Sequence, residues 1–383
     1  MKRALIGGVV AALLLISSIA QALAWDRGDT EIFGVVPYLP GNVPVSIEGL
    51  TVGPDGTVYT PSFGFNSEGA VAGPPHLFSF KPDGALLYDR PLVNPAPSPA
   101  PQPSPHLLGL VYQSSSKTLL ICDLAQGIVW QANPATGKAT VFMNTGLGGA
   151  SGLNALTFDK AGNVYVSDSF QGVIWKTGPT GGAPTAFVDS QTLSPQAATG
   201  VILVPAFGAN GVEFNKQFTA MYVANTAYHS IVKLPVTLSN DGSVSVPGGA
   251  TAEVLTTGIN APDGIAVDLH DNLWVVANQQ DEVDVIDPNA VDRLGQMLPK
   301  VVARRGDFNG IDKNGMIRGL LFPASPAFSA DGQFLYVSNI ALYLPFAGVP
   351  EPAIDSPWTL DVKHYTIAKI RSEIPPLTDE AGR

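Results

Sequence analysis

Asn154-Ala155-Leu156-Thr157-Phe158-Asp159-Lys160-Ala161-Gly162-Asn163-Val164-Tyr165-Val166-Ser167-Asp168, followed by Gly172-Val173-Ile174-Trp175-Lys176, decides how this chain is read. Apolar residues alternate on both sides of Ala161-Gly162-Asn163, the pattern of half-buried strands joined by a hairpin turn. An amide oxygen, that of Asn154, stands at the head of the first strand, and an aromatic, Tyr165, stands at the centre of the second.

The same unit recurs along the chain. Glu48-Gly49-Leu50 leads through Pro54-Asp55-Gly56 to Tyr59, Asn210-Gly211-Val212 leads to Tyr222, and Asp263-Gly264-Ile265 leads through His270-Asp271-Asn272 to Trp274. Two further copies lack the polar lead residue. One runs from Leu108-Gly109-Leu110 to Leu120-Ile121-Cys122-Asp123 and Ile128-Val129-Trp130, the other from Ser325-Pro326-Ala327-Phe328 to Leu335-Tyr336-Val337-Ser338-Asn339. A unit of four short strands needs about 40–45 residues, and the spacing of the six lead positions leaves room for that plus loops. The expectation is an all-β chain folded as a six-bladed β-propeller, each blade a four-stranded antiparallel sheet around a central channel. Ile32–Val36 near the start and His364–Ile370 near the end are both strand-like and would close the ring, removing open sheet edges.

Composition agrees. Gly 40 and Pro 33 in 383 residues, with 14% charged and 45% hydrophobic residues, describe tight turns and short strands rather than long amphipathic helices or disorder. Lys2 and Arg3, the apolar run Ala4–Ala20 and the small residues of Ala22-Leu23-Ala24 read as a signal peptide over residues 1–24. The expected mature chain is one domain over 25–383, exported to the periplasm or secreted, with no membrane association after cleavage. The formal charge of −11 has no basic cluster to offset it, which argues against nucleic acid as a partner. A lone cysteine, Cys122, has no internal disulfide partner and sits in an apolar strand, where a buried inert thiol is expected. The proline-rich stretch over residues 95–105 reads as an extended polyproline spacer between the first two units. Nothing sets an oligomeric state.

Equivalent positions of a radial repeat converge on its axis. Glu48, Asn154, Asn210 and Asp263 would then bring two carboxylates and two amides together, an arrangement that demands a cation to offset the like charges. Oxygen donors without Cys or His suit Ca²⁺ best, with Mg²⁺, Mn²⁺ or Zn²⁺ as alternatives. Asp263 is the candidate catalytic residue, ligand and base at once, and the expected partner is a small-molecule substrate. Other motifs fall short. Asp307–Gly315 has Ile311 where a calcium loop needs an oxygen, Gly149-Ala150-Ser151-Gly152 is an incomplete nucleophile elbow, and Gly146-Leu147-Gly148 lacks the unit of a dinucleotide site. The five histidines show no metal-ligand spacing. Most are expected at the surface or in turns, with His76 or His106 near the channel mouth as a proton shuttle.

In Ile47-Glu48-Gly49, Gly208-Ala209-Asn210-Gly211 and Ala261-Pro262-Asp263-Gly264-Ile265-Ala266-Val267-Asp268 the chain resembles the SMP-30/gluconolactonase family and the calcium-dependent phosphotriesterases and paraoxonases related to it. The resemblance implies a six-bladed propeller holding a catalytic divalent cation on a first-blade Glu, two Asn and the Asp of a Pro-Asp-Gly motif. By order and motif those positions are Glu48, Asn154, Asn210 and Asp263. It implies an exported metal-dependent lactonase or esterase. A binding propeller with a structural cation, or a strictosidine-synthase-like lyase, would use the same scaffold.

Overall fold

Each repeated unit opens on a strand that is broken by a bulge at its lead residue. In the second unit Leu107 pairs with Asp123 and Leu110 with Ile121, so three steps on one strand face two on its neighbour. The same slip separates Leu153 from Leu156, Ala209 from Val212, Pro262 from Ile265 and Pro323 from Pro326. A bulge leaves the extra residue unpaired and re-aims its side chain. This is how Leu108, Asn154, Asn210 and Asp263 leave the ladder, and Glu48 does so between the Ile47–Ser62 bridge and the Thr51–Tyr59 pair. The register also corrects one assignment. The lead position of the last unit is Ala324, one residue before Ser325, because the slip begins at Pro323.

The structure is a computed structural model describing residues 27–96, 99–195, 207–347 and 356–373. The leader expected at 1–24 lies outside the described residues. Strands dominate, and the described helix is limited to one short α turn, Ser356–Thr359, and three 3₁₀ turns. None of these is long and apolar enough to cross a membrane.

Most strands form antiparallel sheets of up-and-down order. Four sheets have four strands, and an eight-stranded sheet consists of two such sets joined by one parallel pair, Met143 with Gly182. Thr30–Val35 pairs with Thr366–Arg371, so the two ends of the described chain share one sheet. The innermost strands, Thr51–Val52, Leu107–Gln113, Leu153–Phe158, Ala209–Phe214, Pro262–Val267 and Pro323–Phe328, touch one another in that order, and the last touches the first. This is a propeller-like arrangement around a channel.

The aromatic of each second strand closes the gap to the next sheet. Tyr165 packs with Phe214 and Met221, Tyr222 with Ile265 and Val275, and Trp274 with Leu335 and Val337. The glycine after the lead residue is required by close approach. A Cβ at Gly49 would stand 2.1 Å from Leu108 O, and one at Gly211 2.3 Å from Asp263 O.

The proline-rich segment differs from its expected extended form. Asn94 donates its backbone N–H to Gln102 Oε1 and its side-chain amide to Pro101 O, bringing the two ends of the segment together. Pro103 and Ser104 are buried, and Ser104 binds Asp123. Two side-chain amides here satisfy backbone groups that an extended spacer would leave to water.

Candidate functional site

Glu48, Asn154, Asn210 and Asp263 line one cavity of about 380 Å³ at one end of the channel. Leu108 lines it too, as the apolar counterpart from the second unit, whereas Ser325 lines a separate cavity of about 370 Å³ at the other end. The four polar leads are buried, Glu48 to 3% and Asp263 to 7% exposure.

A repeated set of hydrogen bonds orients them. Asn154 Nδ2 donates to Ser169 Oγ (3.1 Å), whose hydroxyl donates to Ala209 O (2.7 Å), the residue before Asn210. Asn210 Nδ2 donates to Thr226 Oγ1 (3.0 Å), which donates to Pro262 O (2.7 Å), the residue before Asp263. Asn278 Nδ2 donates both to Asp263 Oδ2 (3.1 Å) and to Pro323 O (2.9 Å), before Ala324. Ser338 donates to Glu48 O, 290 positions away in sequence. In the units of Asn154, Asn210 and Asp263 one side chain therefore holds both the unit's own lead residue and the backbone of the next unit, while Ser338 reaches only the next backbone. With their Nδ2 groups committed, Asn154 and Asn210 keep Oδ1 for another partner.

Asn210 Oδ1 and Glu48 Oε2 are buried without a hydrogen bond among the described residues. Burial, with the Asp263 carboxylate close by, pushes Glu48 well above the usual carboxylate range. Burial raises Asp263 to about 7, and the amides of Asn278 and Asn210 offset only part of that. Among the described residues, no Lys or Arg lines the cavity. Buried orphan oxygens cost about 1–3 kcal/mol each, and paired buried carboxylates repel unless a positive charge sits between them. Among the described residues no three His, Cys, Asp or Glu side chains gather into a metal-holding group. The donor set is two carboxylates and two amide oxygens, which fits a hard divalent cation and not a thiolate or imidazole site.

Of the two histidines expected near the channel mouth, one reaches this cavity. His76 does not reach this cavity, because its Nδ1 is 2.5 Å from Asp89 Oδ1 within the first sheet. His106 does line it, stacked on Phe65 at 5.0 Å with Nδ1 bonded to Phe63 O at 3.0 Å. His229, expected with most of the histidines at the surface or in a turn, lies in a turn but is half-buried, and it accepts the Ala261 N–H at 2.9 Å, two residues before Asp263. Burial holds its ring below the ordinary histidine range.

Cys122 is buried and free, and burial raises its thiol well above the usual range. Asp312 in the 307–315 loop accepts Asn314 and Met316 N–H groups, as an ordinary hairpin turn does. Sequence reading missed two buried carboxylates of a different kind. Asp123 ties Ser104 and Trp130 Nε1, and Asp168 ties Ser151, Gly152 N and Trp175 Nε1. The signal was present as Asp and Trp seven residues apart in both units.

Residues 95–301, more than half of the chain and including Asn154, Asn210 and Asp263, match the SMP-30/Gluconolactonase/LRE-like region. A comparison with the curated proteins finds no match. Among solved structures, a luciferin-regenerating enzyme superposes at a TM-score of 0.55 with 12% identity, covering 88% of this chain and 95% of that one. A gluconolactonase from Xanthomonas campestris superposes at 0.53 with 13% identity, covering 92% of each chain. A calcium-binding regucalcin from Agrobacterium tumefaciens superposes at 0.52 with 16% identity, covering 90% of this chain and 98% of that one. Likeness at these identities is one of fold.

Proposed function

This chain belongs to the SMP-30/gluconolactonase/LRE-like family, and on that premise we propose that it is an exported, metal-dependent hydrolase of lactones or esters built on a six-bladed propeller of four-stranded blades. In this reading the eight-stranded sheet counts as two blades, and Thr30–Val35 completes the last one beside Thr366–Arg371. The observation that carries the function is a pair of buried carboxylates, Glu48 and Asp263, beside the orphaned oxygens of Glu48 and Asn210 at the end of a largely apolar cavity.

Glu48, Asn154, Asn210 and Asp263 would hold a divalent cation, Ca²⁺ by donor chemistry. When bound, such an ion supplies Lewis acidity toward a carbonyl oxygen and makes water more acidic. The protein's own part is then to place the acyl group, exclude bulk water and move a proton. Asp263 takes the proton of the attacking water, while Asn278 pins its Oδ2 and leaves Oδ1 as the acceptor. Water oxygen bonds to the acyl carbon, the acyl C–O bond breaks, and the departing alkoxide takes the proton that Asp263 accepted from the water. A lactone thereby becomes a hydroxy acid.

Purified residues 25–383 should hydrolyse members of a lactone and ester panel, lose that activity on chelation and regain it with calcium. Asp263→Ala, checked by circular dichroism for folding, should abolish turnover. Hydrolysis that survives chelation, or survives Asp263→Ala in a folded protein, rules the mechanism out.

A further inference from the structure

The cavity's polarity is divided by depth, and this division bears on the substrate. Its hydrogen-bonding side chains sit with the lead residues, and most are already committed. Thr226 accepts from Asn210 and donates to Pro262 O, and Asn278 divides its amide between Asp263 and Pro323 O. The wall is aromatic and aliphatic. Phe63, Phe65, Phe170, Phe207 and Phe322 line it, with Phe170 and Phe207 edge to face at 5.5 Å and Phe63 and Phe65 at 5.4 Å. Leu108, Leu124, Ile340, Leu342 and Leu344 fill the rest, and most of these residues belong to one hydrophobic cluster with Phe63 and Phe322. His106 adds a stacked ring whose Nδ1 is taken by Phe63 O. Among the described residues, Gln279 and the far nitrogen of His106 are the remaining polar groups of that wall.

A sugar lactone carries a hydroxyl on nearly every ring carbon, and in such a wall Gln279 and the far nitrogen of His106 could partner only a few of them. A hydrophobic pocket rejects one added hydroxyl by on the order of 10²-fold, and it loses roughly 10- to 200-fold for a missing methylene. We infer that the substrate is a lactone or ester with an apolar skeleton, alkyl- or aryl-substituted, and that polyhydroxylated aldonolactones are excluded. The volume, near the lower end of the 300–1,000 Å³ typical of ligand pockets, limits that skeleton to a small one.

This inference rests on the hydrolase reading for its reaction but not for its ligand, so the experiment has two arms. In the first, kcat/KM of residues 25–383 with calcium is measured for an alkyl-substituted δ-lactone, phenyl acetate and glucono-δ-lactone. The apolar substrates should exceed the sugar lactone by about 10²-fold or more, and Phe170→Gln should lower turnover of the alkyl lactone roughly 10- to 100-fold. Phe207→Gln is the second wall variant should the first fail to fold. In the second arm, calorimetry compares binding of an alkyl-substituted lactam and a polyhydroxylated lactam, neither of which is hydrolysed. No turnover of any substrate combined with selective binding of the alkyl lactam would remove the hydrolase reading and leave the apolar ligand standing. Equal or better use of the sugar lactone, equal binding of the two lactams, binding of neither, or a preference unmoved by the folded wall variants would overturn the inference.

Discussion

Gly211→Ala tests both the strand packing and the placement of Asp263 with one methyl group. The added Cβ would stand 2.3 Å from Asp263 O, 2.8 Å from Ile265 N and 2.9 Å from Gly264 Cα, and real Cβ atoms essentially never approach closer than 3.0 Å. All three neighbours are backbone, so no side chain can swing aside. The strand carrying Asp263 must be pushed outward, at an overpacking cost of about 1–3 kcal/mol. For a protein of this size that lowers Tm by roughly 1–4 °C. A displacement approaching ~1 Å at a catalytic carboxylate costs on the order of 10²-fold in rate. Thermal melts with and without calcium, together with lactone turnover, read both effects. Gly248→Ala is the control, because nothing lies within 4 Å of its Cβ and its φ is outside the left-handed region. It should change stability by less than about 0.5 kcal/mol. If Gly211→Ala melts and turns over like the wild type, the close approach of the two inner strands is wrong.

Other substitutions separate the site from the scaffold. Thr226→Val removes the acceptor for Asn210 Nδ2 and the donor to Pro262 O. Calcium affinity, followed by the calcium concentration needed to raise Tm, should fall roughly 10- to 100-fold while the folded state persists. Asp168→Ala strands Ser151 Oγ, Gly152 N and Trp175 Nε1, so it should cost roughly 3 kcal/mol or more in a denaturant melt. Glu213 lines the opposite cavity, and burial raises its carboxyl from 4.5 to about 7 although hydrogen bonds donated by the Thr157 hydroxyl and the Phe214 N–H act against the shift. A raised carboxylate contributes stability that is fully present below its unfolded pKa of about 4.5 and lost as pH rises through about 7. Glu213→Gln should therefore gain on the wild type between pH 5 and pH 8, by on the order of 1–3 kcal/mol, and an unchanged difference between the two melts would refute that assignment.

The site was legible because its chemistry is local in sequence. A lead oxygen followed by Gly, repeated with an aromatic eleven or twelve residues later, marks the bulge where a side chain leaves the ladder and the strand that must pass close to its neighbour. Glu48, Asn210 and Asp263 carry that mark in full, and Asn154 reaches the same cavity with Ala155 in place of the glycine. Register was less secure, since nothing in Pro323-Ala324-Ser325-Pro326 distinguishes the lead residue until the pairing of Pro323 with Asn339 is known. The histidines were legible only in part, His106 lining the cavity as its place near the channel mouth suggested. His76, His106 and His229 are set by partners at Asp89, Phe63 and Ala261, thirteen to forty-three residues away.

What the sequence by itself determined is the repeated unit and which of its residues carry oxygen donors, because strand alternation, turn chemistry and close approach act over a dozen residues. Tertiary structure alone decided that these donors share one cavity, that Ser338 ties the last unit to Glu48 of the first, and that the wall above them is phenylalanine and leucine from distant segments. Desolvation and like-charge repulsion exist only once those segments converge, so the raised Glu48 and Asp263 carboxyls are properties of the folded ring and of no stretch within it.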